Sequence, residues 1–497
     1  MAFRDLTKAY DSVNREVLYK KLQSIGFGGK VLDLIQSMYF NDCIRIKIEG
    51  VLSEPVWFTR GVKQGCCLSP LLFSLYISGL GIQLQATKLG IELKTAVLTS
   101  LFFADDLVLI SKTSVRGMNT LLKIVDKFCK DMDMSLSVSK TFMLTTGDKG
   151  RSWRIGKSEE YLEETLTAKY LGINIRVRGR HMLQREKDIV STARRHAHAI
   201  MSLTRAGLDR SKVARSLWEG CAIPAVLYGS EAMTLGDATT KELEKVQRMV
   251  GNFILQVPDS SSKVAGWIDA GLLPIKYRLM LRKSLFYWKL CNKTKDVLLK
   301  ECLQEVTDPG TEDQWFNDIK RIEEEIGTGI AGLTKTQVKT KVVDAAVQFV
   351  LYNKREHPSV TYMPQPTRWF VQQPHVTDSE LSKVLNRTRA GNLGLGNRMK
   401  NRNDKQYKLC PWCKKQGVDV RLNEPHVILM CPAVNDIQIQ QKIKLHCPEE
   451  FREGHMNPRI ALKYLLGEDG SKVAVLRERA KKIHCIKEAW LTRVQNL

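Results

Sequence analysis

Hydrophobic positions recur in two rhythms along this chain, and the rhythm changes near residue 180. Val17, Leu18, Leu22 and Ile25 fall at helical spacing behind Asp11-Ser12-Val13-Asn14, which offers helix caps, and Gly26 ends the run. A second helix is expected over Val31–Tyr39. Ile44, Ile46 and Ile48 then alternate with Arg45, Lys47 and Glu49, a period of two that predicts a half-buried strand. Gly50 turns it, and Val56-Trp57-Phe58 is expected to return antiparallel. Ser69-Pro70 opens a long apolar helix to about Leu84, because proline suits the first helical turn. Val97 to Ile110 is apolar except for Thr99, Ser100, Asp105 and Asp106, which predicts a buried hairpin with the acids at its bend. Ser114 is expected to cap a helix to about Met132, and short strands to follow near Phe142-Met143-Leu144 and Leu171-Gly172-Ile173.

Past that point the signal is mostly helical. Ile189, Ala193, Ala197 and Met201 form an i, i+4 stripe, with Lys187, Arg194, Arg195 and His198 on other faces. One face can therefore pack while another meets solvent or phosphates. Gly327 to Gly332 is a glycine-rich break, and Pro358, Pro364, Pro366 and Pro374 make His357–His375 a linker or extended segment. Between Arg387 and Arg421 ten Lys and Arg face only Asp404 and Asp419.

Charge narrows the range of partners. Lys and Arg number 77 against 53 acids, a net +24 over 497 residues, so a polyanion is the expected partner, most simply nucleic acid. No apolar run approaches the roughly 18 residues of a membrane-spanning helix. The N-terminus lacks an apolar signal region, which points to the nucleus or cytoplasm. Most of the 12 cysteines, such as Cys129, Cys221 and Cys291, stand alone in apolar stretches as small hydrophobes of a reducing compartment.

Four residues break that pattern. Cys410-x2-Cys413-x12-His426-x4-Cys431 offers three thiolates and one imidazole, a ligand set that suits one tetrahedral zinc ion. Chance clustering is the plain alternative. The pairs His446-Cys447 and His484-Cys485 are read as ordinary side chains.

The acids raise a second question. Asp5 ends a short apolar start, and Asp105 and Asp106 sit side by side in Phe102 to Ile110. Neighbouring carboxylates repel, and burying them unpaired is costly, so an apolar frame around them suggests a cation. Magnesium takes such oxygen ligands, and two ions about 3.5–4 Å apart serve phosphoryl transfer. Alone, an Asp-Asp pair in a turn is commonplace. Between the acids lies Arg60-Gly61-Val62-Lys63-Gln64-Gly65-Cys66-Cys67-Leu68-Ser69-Pro70, where glycines flank Gln64 and let backbone approach a ligand.

These blocks, in this order, resemble the palm of reverse transcriptases. Asp5 to Tyr10 looks like the first catalytic motif, and Phe103-Ala104-Asp105-Asp106 like the Tyr/Phe-Ala-Asp-Asp box. The resemblance implies Asp5, Asp105 and Asp106 as ligands of two magnesium ions. It also implies Tyr10 under the incoming sugar, Gln64 and Gly65 in the loop that positions template and nucleotide, and Lys140 near the triphosphate. Tyr170-Leu171-Gly172 resembles the primer grip. Pro224 to Glu231 and Ala270 to Ile275 resemble the thumb of LINE-type (non-LTR) retrotransposon enzymes in particular. The family's fingers region precedes the first motif, and only four residues precede Asp5, so an N-terminally truncated chain is expected.

The expected fold is α+β: a palm of antiparallel sheet with flanking helices over residues 1–180, then a helical thumb and connector over 181–330. A linker or basic helical region at 331–400, a zinc knuckle at 401–440 and a helical tail at 441–497 complete it. The implied activity is RNA-directed DNA synthesis, with RNA template, DNA primer or target, and dNTPs as partners. Target-primed reverse transcription follows by the same resemblance. The rival reading is an inactive remnant that only binds nucleic acid.

Overall fold

A computed structural model describes residues 1–145 except Thr7, Thr113 and Ser114, together with 163–176, 181–204 and 213–356 except Ser260, 262–266, Ile268 and Pro309. It also describes Val384, Arg387, Thr388, and 409–495 except Arg421, Glu424, 435–436, Tyr464 and 467–472. The expected Ser114 cap and the segment His357–His375 lie outside the described residues. The chain forms two units, Met1–Leu183 with Thr294–Thr311, and Gln184–Lys293 with Glu312–Leu497.

The first unit is built on five strands in the order Glu163–Glu164, Leu136–Met143, Ala2–Leu6, Asp106–Leu109, Ser100–Phe103. Ala2–Leu6 is central and antiparallel to both neighbours. Successive residues of a strand face opposite ways, and the burial follows that alternation. Ala2, Leu6, Leu107 and Leu109 join the main core with Leu18, Leu22, Phe73, Leu80, Leu121 and Val125. Phe3, Val108 and Ile110 join a smaller core with Leu144 and Ala168 on the other face.

The main core is supplied by helices that the apolar spacing predicts. The helix Arg15–Ser24 is capped by Asn14, whose side chain accepts from the amides of Glu16 and Val17. Ser69–Ala86 carries proline in its first turn and buries Leu72, Phe73, Tyr76, Ile77, Leu80 and Leu84. Its Tyr76 hydroxyl donates to the Met132 carbonyl at 2.5 Å, tying it to the end of the helix Val115–Asp131.

Two expectations need correction. The Ile44 to Phe58 segment does form an antiparallel hairpin, pairing Ile44 with Val56 and Ile48 with Val51. Its isoleucines are not half-buried, however: Ile44, Ile46 and Ile48 are 56%, 61% and 68% exposed. Alternation reports a face suited to packing, and no described residue covers this one. Leu171-Gly172 is not strand but the turn between Thr167–Tyr170 and Ile173–Arg176, with both residues at positive φ. The return segment 294–311 adds the helix Val297–Thr307 to this unit. Its buried Glu301 accepts from the Thr95 amide at 3.1 Å and from the Thr95 hydroxyl.

The second unit is helical. Asp237–Leu255, Ile275–Asn292, Gln314–Ile326 and Lys335–Glu356 are its long helices between residues 213 and 356. Charged pairs lock them. Arg278 makes a two-pronged contact with Glu219, and Arg282 binds Glu231 at 2.8 Å. Lys283, 8% exposed at its side chain, meets Asp318 at 2.6 Å, and Asp318 also accepts from Thr234 at 2.8 Å. In the helix His181–Thr204 the stripe residues Ile189, Ala193 and Ala197 are buried, while Lys187, Arg194, Arg195 and His198 are exposed. No helix among the described residues is long and apolar enough to cross a membrane.

A buried ion pair punishes loss of one partner more than replacement of both partners by apolar groups of similar volume. Asp318→Ala should therefore lower stability by about 3 kcal/mol, and the double variant Lys283→Met, Asp318→Leu by less than about 1 kcal/mol. Equilibrium urea unfolding of the two variants checks this, and equal losses would contradict it.

Candidate active site and metal centre

The backbones of the three acids of the sequence analysis lie at one end of the first unit's sheet. Asp5 in the central strand is the direct partner of Asp106 in the neighbouring strand. Facing residues of antiparallel strands have Cα atoms about 4.5–5.5 Å apart. Phe103 pairs with Asp106 to close the hairpin, so Ala104 and Asp105 form its two-residue bend, with Ala104 at φ 51°. The Leu6 amide donates to the Asp105 carbonyl at 3.4 Å, fastening that bend to the central strand. Asp105 and Asp106 are half-buried.

Tyr170 belongs to the same neighbourhood. Its ring meets Phe3 edge-on at 5.8 Å. Burial pushes its hydroxyl above the ordinary tyrosine value, and the negative charge of nearby Asp106 adds to the effect. Lys140 lies in the strand Leu136–Met143, within the stretch where register against the central strand breaks between Phe3 and Asp5.

A second group of predicted residues gathers around the short helical turn Ala9–Ser12. The Tyr10 ring stacks on Phe73 at 5.1 Å with its plane 16° from parallel. The Val62 amide donates to the Tyr10 carbonyl and the Gly61 amide to the Val13 carbonyl, each at 2.8 Å. These two bonds run the loop toward Gln64 alongside the turn that follows Asp5. The Gln64 amide donates to the Asp11 carboxylate at 3.1 Å, and Gly65 takes φ 83°. Sequence reading offered Asp11 among the helix caps, whereas Asn14 is the cap and Asp11 binds Gln64. Arg15, on which the sequence analysis is silent, is buried and bonded to this loop.

The metal-type cluster lies in the second unit. Cys410, Cys413, His426 and Cys431 are all buried, and their ligand atoms lie within 4.8 Å of one another. Cys410 Sγ is 3.7 Å from Cys431 Sγ, and Cys413 Sγ is 3.4 Å from His426 Nε2. Zinc–sulfur bonds of about 2.3 Å in a tetrahedron place two sulfurs about 3.8 Å apart, close to what is seen. Cys410 and Cys413 are brought together by the turn Pro411–Lys415, and His426 and Cys431 by a single wide helical turn, His426–Met430. The Asn423 side chain accepts from the His426 amide at 2.9 Å. A hydrogen bond from Cys431 favours the Cys410 thiolate, while burial and that charge hold the Cys413 thiol up. Protein alone therefore resists a second thiolate here, and a cation would reverse that.

Known proteins support a reading of the first unit. Residues 1–175 match the reverse transcriptase (RNA-dependent DNA polymerase) family. The chain is 32% identical over 197 residues to the retrovirus-related Pol polyprotein from type-2 retrotransposable element R2DM of Drosophila melanogaster, covering 37% of this chain and 18% of that protein. It is 35% identical over 115 residues to the transposon TX1 149 kDa protein of Xenopus laevis, covering 22% of this chain and 9% of that one. A Pol polyprotein from type-1 retrotransposable element R2 of Popillia japonica is 30% identical over 118 residues, 24% of this chain and 20% of that protein. The chain thus spans a fifth or less of the length of each relative. Residues 1–175 are thus similar to reverse transcriptases, and the relatives that share this similarity are proteins of transposable elements.

Proposed function

We propose that this chain carries the catalytic centre of an RNA-directed DNA polymerase, extending a DNA primer along an RNA template. The observation that carries the reading is the pairing of Asp5 with Asp106 beside the Asp105 bend. On this reading the five-stranded sheet is the polymerase palm, and the stretch 181–330 supplies its helical thumb and connector.

Three carboxylates at one sheet end are a donor set that fits two magnesium ions, and Asp5, Asp105 and Asp106 would hold them. When bound, such ions activate the attacking hydroxyl and neutralise charge on the leaving oxygen. The primer 3′-hydroxyl attacks the α-phosphate of a dNTP in line, and pyrophosphate leaves. Tyr10, braced flat against Phe73, presents a wall beneath the sugar that would disfavour a 2′-hydroxyl. Gln64 and Gly65 would contact nucleotide and template, the open glycine admitting close approach. Lys140 would lie near the triphosphate. Target-primed synthesis, with a nicked chromosomal end as primer, is the setting that the non-LTR relatives suggest.

The Cys410, Cys413, His426 and Cys431 cluster would hold one zinc ion, and its sulfur spacing supports that choice. The surrounding basic residues Lys414 and Lys415 suit a nucleic-acid contact.

With poly(rA)/oligo(dT), dTTP and magnesium, the purified chain should incorporate nucleotide, and Asp105→Ala should lower the rate by about a hundredfold or more. Absence of incorporation, with salt-sensitive nucleic-acid binding retained, would leave only the binding role. Elemental analysis should find about one zinc per chain, lost in the double variant Cys410→Ser, Cys413→Ser. A purified wild-type chain free of zinc would end that assignment.

A further inference from the structure

Arg15 is a buried cation of the first unit, 8% exposed. Four of its five N–H donors are engaged. Nε donates to the Gly61 carbonyl at 2.9 Å, and Nη1 to the carbonyls of Phe58 at 2.8 Å and Tyr39 at 3.1 Å. Nη2 meets the Asp42 carboxylate at 2.8 Å, and the group lies 4.9 Å from the centre of the Tyr39 ring. Asp42 binds Lys63 as well, at 3.2 Å.

These acceptors come from separate places in the chain. Tyr39 and Asp42 follow the helix Gly29–Ser37, Phe58 follows the last strand of the exposed hairpin, and Gly61 starts the run toward Gln64. One side chain thus fixes where the hairpin ends and where the loop begins. The loop has little slack on its other side. Gly61 sits at φ +89°, and a Cβ there would lie 3.0 Å from the Asp11 Cα and carbonyl oxygen. Arg60 donates to the Ser12 carbonyl at 2.6 Å. Gly61 is therefore held between the Arg15 guanidinium and the turn that carries Tyr10 and Asp11, three residues before Gln64.

We infer that Arg15 is a positioning residue for the nucleotide contact: it sets the placement of Gln64 and Gly65 through the Gly61 carbonyl. The inference rests on the reading of residues 64 and 65 as nucleotide-contacting. The rigid fork matters to it. A lysine carries three donors on one nitrogen and does not reach three carbonyls and a carboxylate in different directions. Arg15→Lys keeps the charge opposite Asp42 and releases the loop.

The test compares Arg15→Lys with wild type well below the unfolding temperature. The expected result is a KM for dNTP raised about tenfold or more, with primer–template affinity unchanged. Backbone amides of residues 58–65 should exchange with solvent markedly faster, while those of the central strand 2–6 keep their protection. A role in stability alone would reduce the active fraction, lowering apparent kcat at constant KM, and that outcome overturns the inference. Unchanged exchange at 58–65 overturns it too. A wild-type chain that does not polymerise counts against the polymerase reading instead, and the exchange comparison then decides the part played by Arg15.

Discussion

The pairing of Ala2–Leu6 with Asp106–Leu109 is the constraint on which the first unit depends. It joins residues about a hundred positions apart, so its loop-closure cost must be met by burial. Both faces of the pair supply that burial, Leu6, Leu107 and Leu109 on one side and Phe3 and Val108 on the other. The register that satisfies this packing also sets Asp5 opposite Asp106. A slip by one residue would exchange the two faces of the strand. It would turn Phe3 from its stack with Phe142, at 5.3 Å, and part the acids at the same time. Core packing and the placement of the carboxylates are thus one choice of register.

A second layer of order surrounds that end of the sheet. The turn after Asp5 and the loop before Ser69 are laid side by side by backbone bonds from Gly61 and Val62. The apolar helix Ser69–Ala86 anchors both, through Phe73 beneath Tyr10 and through the Tyr76 hydroxyl, which also accepts from the Asn14 amide at 3.3 Å. Predominantly polar segments are held here by a few multiply bonded groups, where the sheet is held by apolar area. Such polar networks demand that each member be satisfied, which is why a buried guanidinium with four acceptors can serve where a hydrophobic side chain could not.

How much of this could be read from the chain depends on the range of the interaction. The hairpin bearing Asp105 and Asp106 was legible because its acids interrupt an apolar run, and the Cys and His cluster because its ligands repeat at short spacings. The helix Ser69–Ala86 was legible from its proline and its apolar length. Arg15 was not, since an arginine at the start of an amphipathic helix looks the same whether it meets water or three carbonyls. The Ile44 to Ile48 alternation was read as one half-buried strand, whereas Cys43–Ile44 and Lys47–Ile48 are separate short strands and the isoleucines are exposed, because periodicity marks a face but not its cover. That Val297–Thr307 joins the first unit rests on Glu301 meeting Thr95, a contact between residues 206 positions apart that leaves no local signature.

The cysteine and histidine cluster shows the same dependence on distant partners. A free-standing knuckle would have little core beyond its own ligands. Here the residues between His426 and Cys431 carry Val427, Ile428 and Leu429, all fully buried. They share one core with Ile443, Leu462, Leu465, Ile483, Ile486 and Trp490 of the segments that follow. Cys410, Cys413 and Cys431 lie in that same core. Three polarisable thiols in an apolar interior are stable as neutral groups, whereas three thiolates there are not unless a cation offsets their mutual repulsion. Because the cluster and the helical core are built from adjoining residues, an ion bound there would be coupled to the packing of the helices after Cys431. A cation that orders the wide turn His426–Met430 also sets the three aliphatic side chains on which those helices close.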